Sequence, residues 1–479
     1  MNISSDSEYL KNLGQLVIDQ LIAYRSRSMT GADKVLELKP FHELDNKLGL
    51  DKFVQQQPIS VQEFQQFLDL YLHNSMHIHH PRNIGHQLAP SRFPTVLADM
   101  IVSAMNNGSG LYEMGPSASV VERWVINWML NKIGWSSDIG YQASGVLCSG
   151  GTMANITALS AARNLASPST WKYGCNEQQV ILTSAESHFS ISRAAGILGI
   201  GCDNVITIAS DDTGKLLVDD LSKAITKLQD SDKKIVAVVA NACTTSSGVY
   251  DDLVAIAEVC NKNKIWMHVD GAHGASAILS EKYSHLLSGI ELADSVTWDA
   301  HKMLQTTSVC AGALFKRSKN IDAAFTGSAP YLSLDEDCDY PNQMRRTIEC
   351  TKPAIGLKLY LTLALLGEGE VASIIENLYQ KALGFYDIIN TRDEFECLCK
   401  PESNIICFRI AGKCRDEQKA IRNRLIQKDG FYITETEVNG DHYFRLTVMN
   451  EATSSSDIST LLDLIIGYGD LGGNNDLID

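Results

Sequence analysis

The 479-residue chain reads as an α/β protein: a large lobe on a mainly parallel sheet, a helical arm before it and a small α+β lobe after it. Three observations predict this. Between about 140 and 320, short apolar runs alternate with helical segments (QVILTS, NVITIAS, KIVAVVANA, IWMHVD, DSVTWD and AGALFK), the rhythm of βαβ units whose strands are covered on both faces. From Tyr9 to about His73 apolar residues recur at helical spacing instead (Leu13, Val17, Leu21; Phe64, Phe67, Leu70), interrupted at Pro40 and Pro58. After Lys352 the periodic stretch LKLYLTLALLGEGEVASIIENLYQKALGFYDII leads through NIICFRI and an amphipathic segment to HYFRLTVM. The expected divisions are 1–75, 76–358 and 359–479. More than one lobe is required, because a single core stops growing near ~250–300 residues.

Composition narrows the partners. A formal net charge of −16 argues against nucleic acid and anionic membrane surfaces, both of which need clustered Lys and Arg. Residues 1–30 lack the basic start and apolar run of a signal peptide. No later run approaches the ~20 apolar residues of a membrane span, so a cytoplasmic protein is expected. The twelve cysteines are scattered without a CxxC pair, and Cys243, Cys310 and Cys407 interrupt apolar runs, which predicts reduced, mostly buried thiols.

The chemistry begins with WMHVDGAH at 266–273. Asp270 stands where a buried strand should end, and in open α/β sheets ligands collect at the carboxyl ends of strands. His268 shares a strand face with it, and His273 can fold back from the turn. These residues admit two readings: a metal site, or a buried His and Asp satisfied by backbone groups. The run HNSMHIHHP, with His77, His79 and His80, invites the metal reading again.

DSVTWDAHKM, about one βα unit further on, is a strand-like run that ends in His301 and Lys302. A lysine at that edge can be partly desolvated, which makes its amine nucleophilic and opens Schiff-base chemistry. In CSGGTMANITAL, Ser149, Gly150, Gly151 and Thr152 open a helical pattern. Glycine amides and a helix N-terminus suit a phosphate, although a Gly-rich turn is also a common way to begin a helix. A phosphate cradle, a carboxylate and a lysine at successive strand ends together meet the needs of pyridoxal 5'-phosphate, whose ring nitrogen pairs with the carboxylate and whose aldehyde is held by the lysine. This reading gives Lys302 a role that the metal reading leaves empty.

On these residues the chain resembles the group II pyridoxal-phosphate decarboxylases, relatives of glutamate, aromatic amino acid, cysteine sulfinate and 2,4-diaminobutyrate decarboxylases. The resemblance runs from about His80 to the C-terminus through HPRNIGHQLAP, YEMGPSASVVE, SGGTMAN, SAESHFS, ACTTSSGVYDDL, HVDGAH, WDAHKM, the YLS stretch at Tyr331, RRTIECTKP and YFRLTVMN, in the family's order. It implies a fold type I enzyme that decarboxylates an L-amino acid to a primary amine. It also implies a homodimer with the helical arm packed across the partner and the site at the interface.

Residue by residue, the resemblance makes Lys302 the cofactor's covalent anchor and Asp270 the partner of its ring nitrogen. His188 would stack on the ring. Ser149, Gly150, Gly151, Thr152, Asp299 and His301 would surround the phosphate, and Thr245 and Ala272 would line the remaining sides. Arg445 matches an arginine that binds the substrate α-carboxylate, while His86 and Gln87 would meet the substrate side chain. Tyr331 lies in a polar loop whose tyrosine, in the family, helps protonate the α-carbon; relatives with phenylalanine there tend toward aldehyde formation. The chain departs from the family at Asp299, where many relatives carry Asn, and at Cys243, Gly271 and His273. The expected substrate is a short polar amino acid: 2,4-diaminobutyrate, glutamate, aspartate or cysteine sulfinate. Rival functions are an aminotransferase or aldehyde synthase with the same cofactor, a catalytically silent pyridoxal-binding relative, and a metal-dependent hydrolase built on His268, Asp270 and His273.

Overall fold

The structure, a computed structural model, describes residues 7–54, 58–135, 143–325 and 342–470. Strands β1 (Ser144–Cys148), β2 (Gln179–Ser184), β3 (Val205–Ile208), β4 (Lys234–Asn241), β5 (Trp266–Asp270), β6 (Ser295–Asp299) and β7 (Ala311–Phe315) form one sheet, in the order β1-β7-β6-β5-β4-β2-β3. β7 runs antiparallel to both β1 and β6, and every other pairing is parallel. β1 therefore points the same way as β6, and the carboxyl ends of β1 to β6 share one edge. This is the expected α/β class. The runs read as strands form strands because Val, Ile, Leu and Ala dominate them and both sheet faces are covered; β2 is buried throughout.

β1 is absent from the sequence reading. Its SGVLC run is short, contains glycine and leads straight into the Gly-rich turn, so nothing in its pattern separates it from a loop. The helix Gly151–Ala166 follows it and crosses the sheet over β4 to β7, buried from Ala154 to Asn164. Its five alanines let it lie close to the strands.

The arm consists of helices Ser7–Met29, Phe41–Leu48 and Val61–His73, the last opened by a capping box between Ser60 and Glu63. The periodic stretch after Lys352 forms two helices, Gly356–Leu366 and Glu368–Asn390, separated at Gly367. A second sheet, β8 (Phe395–Cys397), β9 (Ile405–Ile410), β10 (Thr434–Val438) and β11 (Asp441–Thr447), is antiparallel in the order β10-β11-β9-β8. Among the described residues no helix is long and apolar enough to cross a membrane, and every described cysteine is free.

A buried ion pair ties the sheet to the segment before Gly356. Glu122, from the helix Pro116–Ile133, accepts hydrogen bonds through Oε1 from the Leu147 N–H at 3.0 Å and from Lys352 Nζ. Both side chains are almost wholly buried. Removing one member leaves an uncompensated charge. Lys352→Met is expected to cost about 3–5 kcal/mol of stability, read as a lower urea midpoint, and adding Glu122→Gln should recover part of it; an unchanged midpoint in the single variant would contradict this.

Candidate active site

A cavity of about 370 Å³ opens at the shared strand edge. The turn after β1 contributes Ser149 to Thr152, the loop after β2 His188, and the loop after β4 Thr245. β5 and its turn add Asp270 and Ala272, while β6 and its turn add Asp299, His301 and Lys302. Every residue expected around the cofactor thus lines one space.

The geometry fits a phosphorylated pyridine aldehyde. The helix beginning at Gly151 directs its first backbone amides at the cavity, which suits an anion. A Cβ on Gly151 would stand 2.9 Å from Asp299 Oδ2 and 3.2 Å from the Ala272 Cβ, so only glycine leaves this cradle open. Gly271 is similarly confined: its Cβ would lie 2.9 Å from Ala275 Cβ and 3.0 Å from the Thr297 carbonyl oxygen. Asp270 is buried and oriented by two donors, Asn155 Nδ2 at 2.9 Å and the Ala272 N–H at 3.2 Å. His188 Nδ1 accepts from the Ser190 N–H at 3.2 Å, and burial holds its pKa below the usual imidazole value.

Lys302 Nζ lies 3.4 Å from Asp299 Oδ2, and His301 Nε2 lies 3.6 Å from the same oxygen. His301 Nδ1 lies 2.9 Å from the Cys310 carbonyl oxygen and 3.3 Å from the Cys310 nitrogen. The other oxygen of Asp299, Oδ1, is buried without a partner. Burial raises its pKa against the pull of Lys302 and His301.

A second cleft, of about 580 Å³, adjoins the first and shares His188 and Thr245 with it. Arg445, on β11, and His86 line this cleft. Arg445 is buried; its Nη1 donates to the Gly85 carbonyl at 3.3 Å and to Thr434 Oγ1 at 3.4 Å, while Nε and Nη2 have no partner. His86 sits 2.9 Å from the Tyr432 hydroxyl, and burial together with Arg445 and Arg422 holds it below its ordinary pKa. Gln87 borders neither cleft, and its Nε2 is buried without a partner. Tyr331 lies outside the described residues.

The metal reading is corrected here. Among the described residues no group of three or more His, Cys, Asp or Glu side chains could hold a metal ion. His268 has both ring nitrogens engaged, at 2.8 Å from Ser295 Oγ and 3.0 Å from Asn155 Oδ1. His273 is turned to Asn404 Oδ1 at 2.7 Å. Of the upstream histidines, His80 Nδ1 accepts from the Arg82 N–H at 2.9 Å.

Asn155, Ser190 and Thr297 escaped the sequence reading. Asn155 closes the SGGTMAN motif one turn inside the helix that starts at Gly151, and that motif membership assigns it no role.

A lysine, a carboxylate and an anion-binding helix start at the ends of neighbouring parallel strands define a pyridoxal-phosphate enzyme of fold type I. The pyridoxal-dependent decarboxylase conserved domain matches residues 44–411, and the chain belongs to that family of amino acid decarboxylases, which are carboxy-lyases. It is 27% identical to the L-2,4-diaminobutyrate decarboxylase of Acinetobacter baumannii, over 85% of this chain and 83% of that one. To the cysteine sulfinic acid decarboxylase of Mus musculus it is 28% identical, over 95% of this chain and 94% of that one. The crystal structure of mouse CSAD matches with a TM-score of 0.89 at 26% identity, covering 97% of this chain and 99% of the other.

The electrostatics at Asp299 yield a stability test on cofactor-free protein. A carboxyl whose folded pKa is raised binds its proton more tightly when folded, so its contribution to stability falls as pH rises above the ordinary carboxylate range. Asp299→Asn should therefore melt higher than the parent at pH 8 and lose that advantage on acidification toward pH ~4. A melting-temperature difference that grows on acidification would contradict the assignment.

Proposed function

We propose that this decarboxylase takes a short polar L-amino acid, of the set 2,4-diaminobutyrate, glutamate, aspartate and cysteine sulfinate, and releases the primary amine and carbon dioxide in the cytoplasm. The observation that carries this is Arg445: a buried guanidinium with Nε and Nη2 unpaired, in a cleft continuous with the Lys302 cavity through His188 and Thr245. Those two donors form the side of the guanidinium that binds a carboxylate bidentately. His86 lies within the same cleft, where a substrate side chain longer than alanine would reach. Neutral imidazole can donate to a carboxylate or sulfinate, or accept from an amine, which fits the set as a whole. The curated relatives bracket it, with diaminobutyrate on one side and cysteine sulfinic acid on the other.

Pyridoxal phosphate, when bound, supplies an aldehyde that condenses with the substrate amine and a ring that accepts the electron pair left as carbon dioxide departs. The protein supplies the rest. Lys302 would anchor the cofactor, and Asp270 would hold a proton at the ring nitrogen. The amides at Gly151 and Thr152 would bind the phosphate, with Ser149 and His301 beside it. His188 would cover one ring face and exclude water from it. Arg445 fixes the carboxylate, so that the bond to be broken keeps one orientation. Tyr331 delivers the proton to the α-carbon.

The enzyme acts as a homodimer. Phe93, Met100, Ile101 and Met105 are exposed on the helix Phe93–Met105, beside exposed Leu365 on the helix packed against it, and a second copy would cover these apolar side chains.

Incubating the protein and pyridoxal phosphate with a mixed amino acid pool, followed by mass spectrometry, should show one amine rising as its parent acid falls. The product should be absent with Lys302→Ala. Arg445→Lys keeps the charge but loses the fork; KM should rise at least ~10-fold, the scale of one lost charge-assisted hydrogen bond. Tyr331→Phe should divert product toward the aldehyde under oxygen. Keto acid from the parent enzyme would identify an aminotransferase instead.

A further inference from the structure

Two residues with no role above, Asn155 and His268, occupy the centre of a hydrogen-bond chain running from the sheet interior to the cavity. Both are buried, at 1% and 0% exposure. β5 pairs with β6 so that His268 lies opposite Ser295 and Asp270 opposite Thr297. Cross-strand partners share a face, and the helix Gly151–Ala166 brings Asn155 down onto that face.

The direction of every bond in the chain follows from its ends. Trp266 Nε1, which can only donate, lies 2.9 Å from Ser295 Oγ. The Ser295 hydroxyl then has its proton free for His268 Nδ1 at 2.8 Å. That leaves the imidazole hydrogen on Nε2, which donates to Asn155 Oδ1 at 3.0 Å, and Thr297 Oγ1 donates to the same oxygen at 2.7 Å. With its carbonyl oxygen saturated, Asn155 turns both Nδ2 hydrogens toward the site, to Asp270 Oδ2 at 2.9 Å and Ser190 Oγ at 2.9 Å. Ser190 Oγ accepts that bond and donates onward to His188 Nδ1 at 2.8 Å. The acceptor-only carboxylate at one end and the donor-only indole at the other agree on one arrangement. Burial lowers the His268 pKa to about 4, so the ring stays neutral and the arrangement holds through the neutral range.

We propose that Asn155, oriented by His268, is a positioning residue that fixes the direction of the Asp270 carboxylate and, through Ser190, adds a hydroxyl to the contacts that orient His188. Asp270 has one other donor, the Ala272 N–H at 3.2 Å, so without Asn155 its carboxylate can turn about that contact. His188 would lose the orienting hydroxyl of Ser190 and keep only the Ser190 N–H at Nδ1. The inference rests on the reading that Asp270 pairs with the ring nitrogen.

The test uses holoenzyme carrying ¹⁵N-labelled pyridoxal phosphate. The ¹⁵N chemical shift reports protonation of the ring nitrogen, and kcat, KM and cofactor dissociation are measured beside it. Asn155→Asp preserves shape but replaces the two donors with an acceptor facing Asp270. Its ¹⁵N signal should move toward the unprotonated position, with kcat lower by about ten- to a hundredfold, the loss typical of removing an outer partner that orients a site ligand, and KM nearly unchanged. His268→Phe, which cannot hold the Asn155 carbonyl, should move the signal the same way. His268→Gln, which restores a donor at the Nε2 position, should return it. If Asn155→Asp folds with unchanged melting temperature, ¹⁵N shift and kcat, the proposal is overturned. Should Asn155→Asp fail to fold, the His268 pair decides: equal shifts in Phe and Gln variants overturn it. Asp270→Ala separates the underlying reading, because a protonated ring nitrogen in that variant would remove Asp270 from its role whatever Asn155 does.

Discussion

The site depends on one constraint: a parallel sheet covered on both faces cannot leave polar side chains along its strands unless each finds a partner. β2 and β4 are apolar through their middles, Val180 to Leu182 and Ile235 to Ala240, and end in Ser184 and Asn241, while β5 and β6 end in Asp270 and Asp299. Because β1 to β6 point the same way, these ends meet along one edge, and the turns that follow add Ser149, Thr245 and Lys302. Where polar residues do enter the strands, at His268, Ser295 and Thr297, they face one another and Asn155, and each finds a hydrogen bond.

Burial decides the electrostatics of this edge. His188, His268 and His273 are all pushed toward the neutral form by desolvation, the last to about 3. Asp299 is pushed the opposite way, toward its protonated form, and sits beside the glycine cradle where an anion would approach. A neutral carboxyl there can donate a hydrogen bond, as the Asn of many relatives would, whereas a carboxylate would repel.

Arg445 shows how the small antiparallel sheet completes a site that the large sheet begins. β11 lies between β10 and β9, and its register sets Arg445 opposite Thr434 and Cys407. The Gly85 carbonyl and Thr434 hydroxyl hold one guanidinium nitrogen, which leaves Nε and Nη2 buried and unpaired. A buried cation with free donors is an unfavourable arrangement in isolation, and a bound carboxylate relieves it.

Much of this was legible in the residues themselves. Alternating apolar runs marked six strands of the large sheet, and helical spacing with Pro40 and Pro58 marked the arm. Asp270, Lys302 and the Gly150-Gly151 turn announced themselves because their residue types sit where a strand ends or a helix begins. β1 did not, since SGVLC is too short to show a period, and neither did Asn155 or Thr297, whose importance comes from facing other elements across the core. The sequence by itself determined the class of fold, the cofactor and the strand ends that carry chemistry, because these follow from local periodicity and local residue type. Only the tertiary structure decided that His268 serves a hydrogen-bond chain and not a metal, that Asp299 is buried without a partner, and that Arg445 keeps two donors free. Those properties arise between residues more than a hundred positions apart, or from depth beneath the surface, and neither is written in any single stretch of the chain.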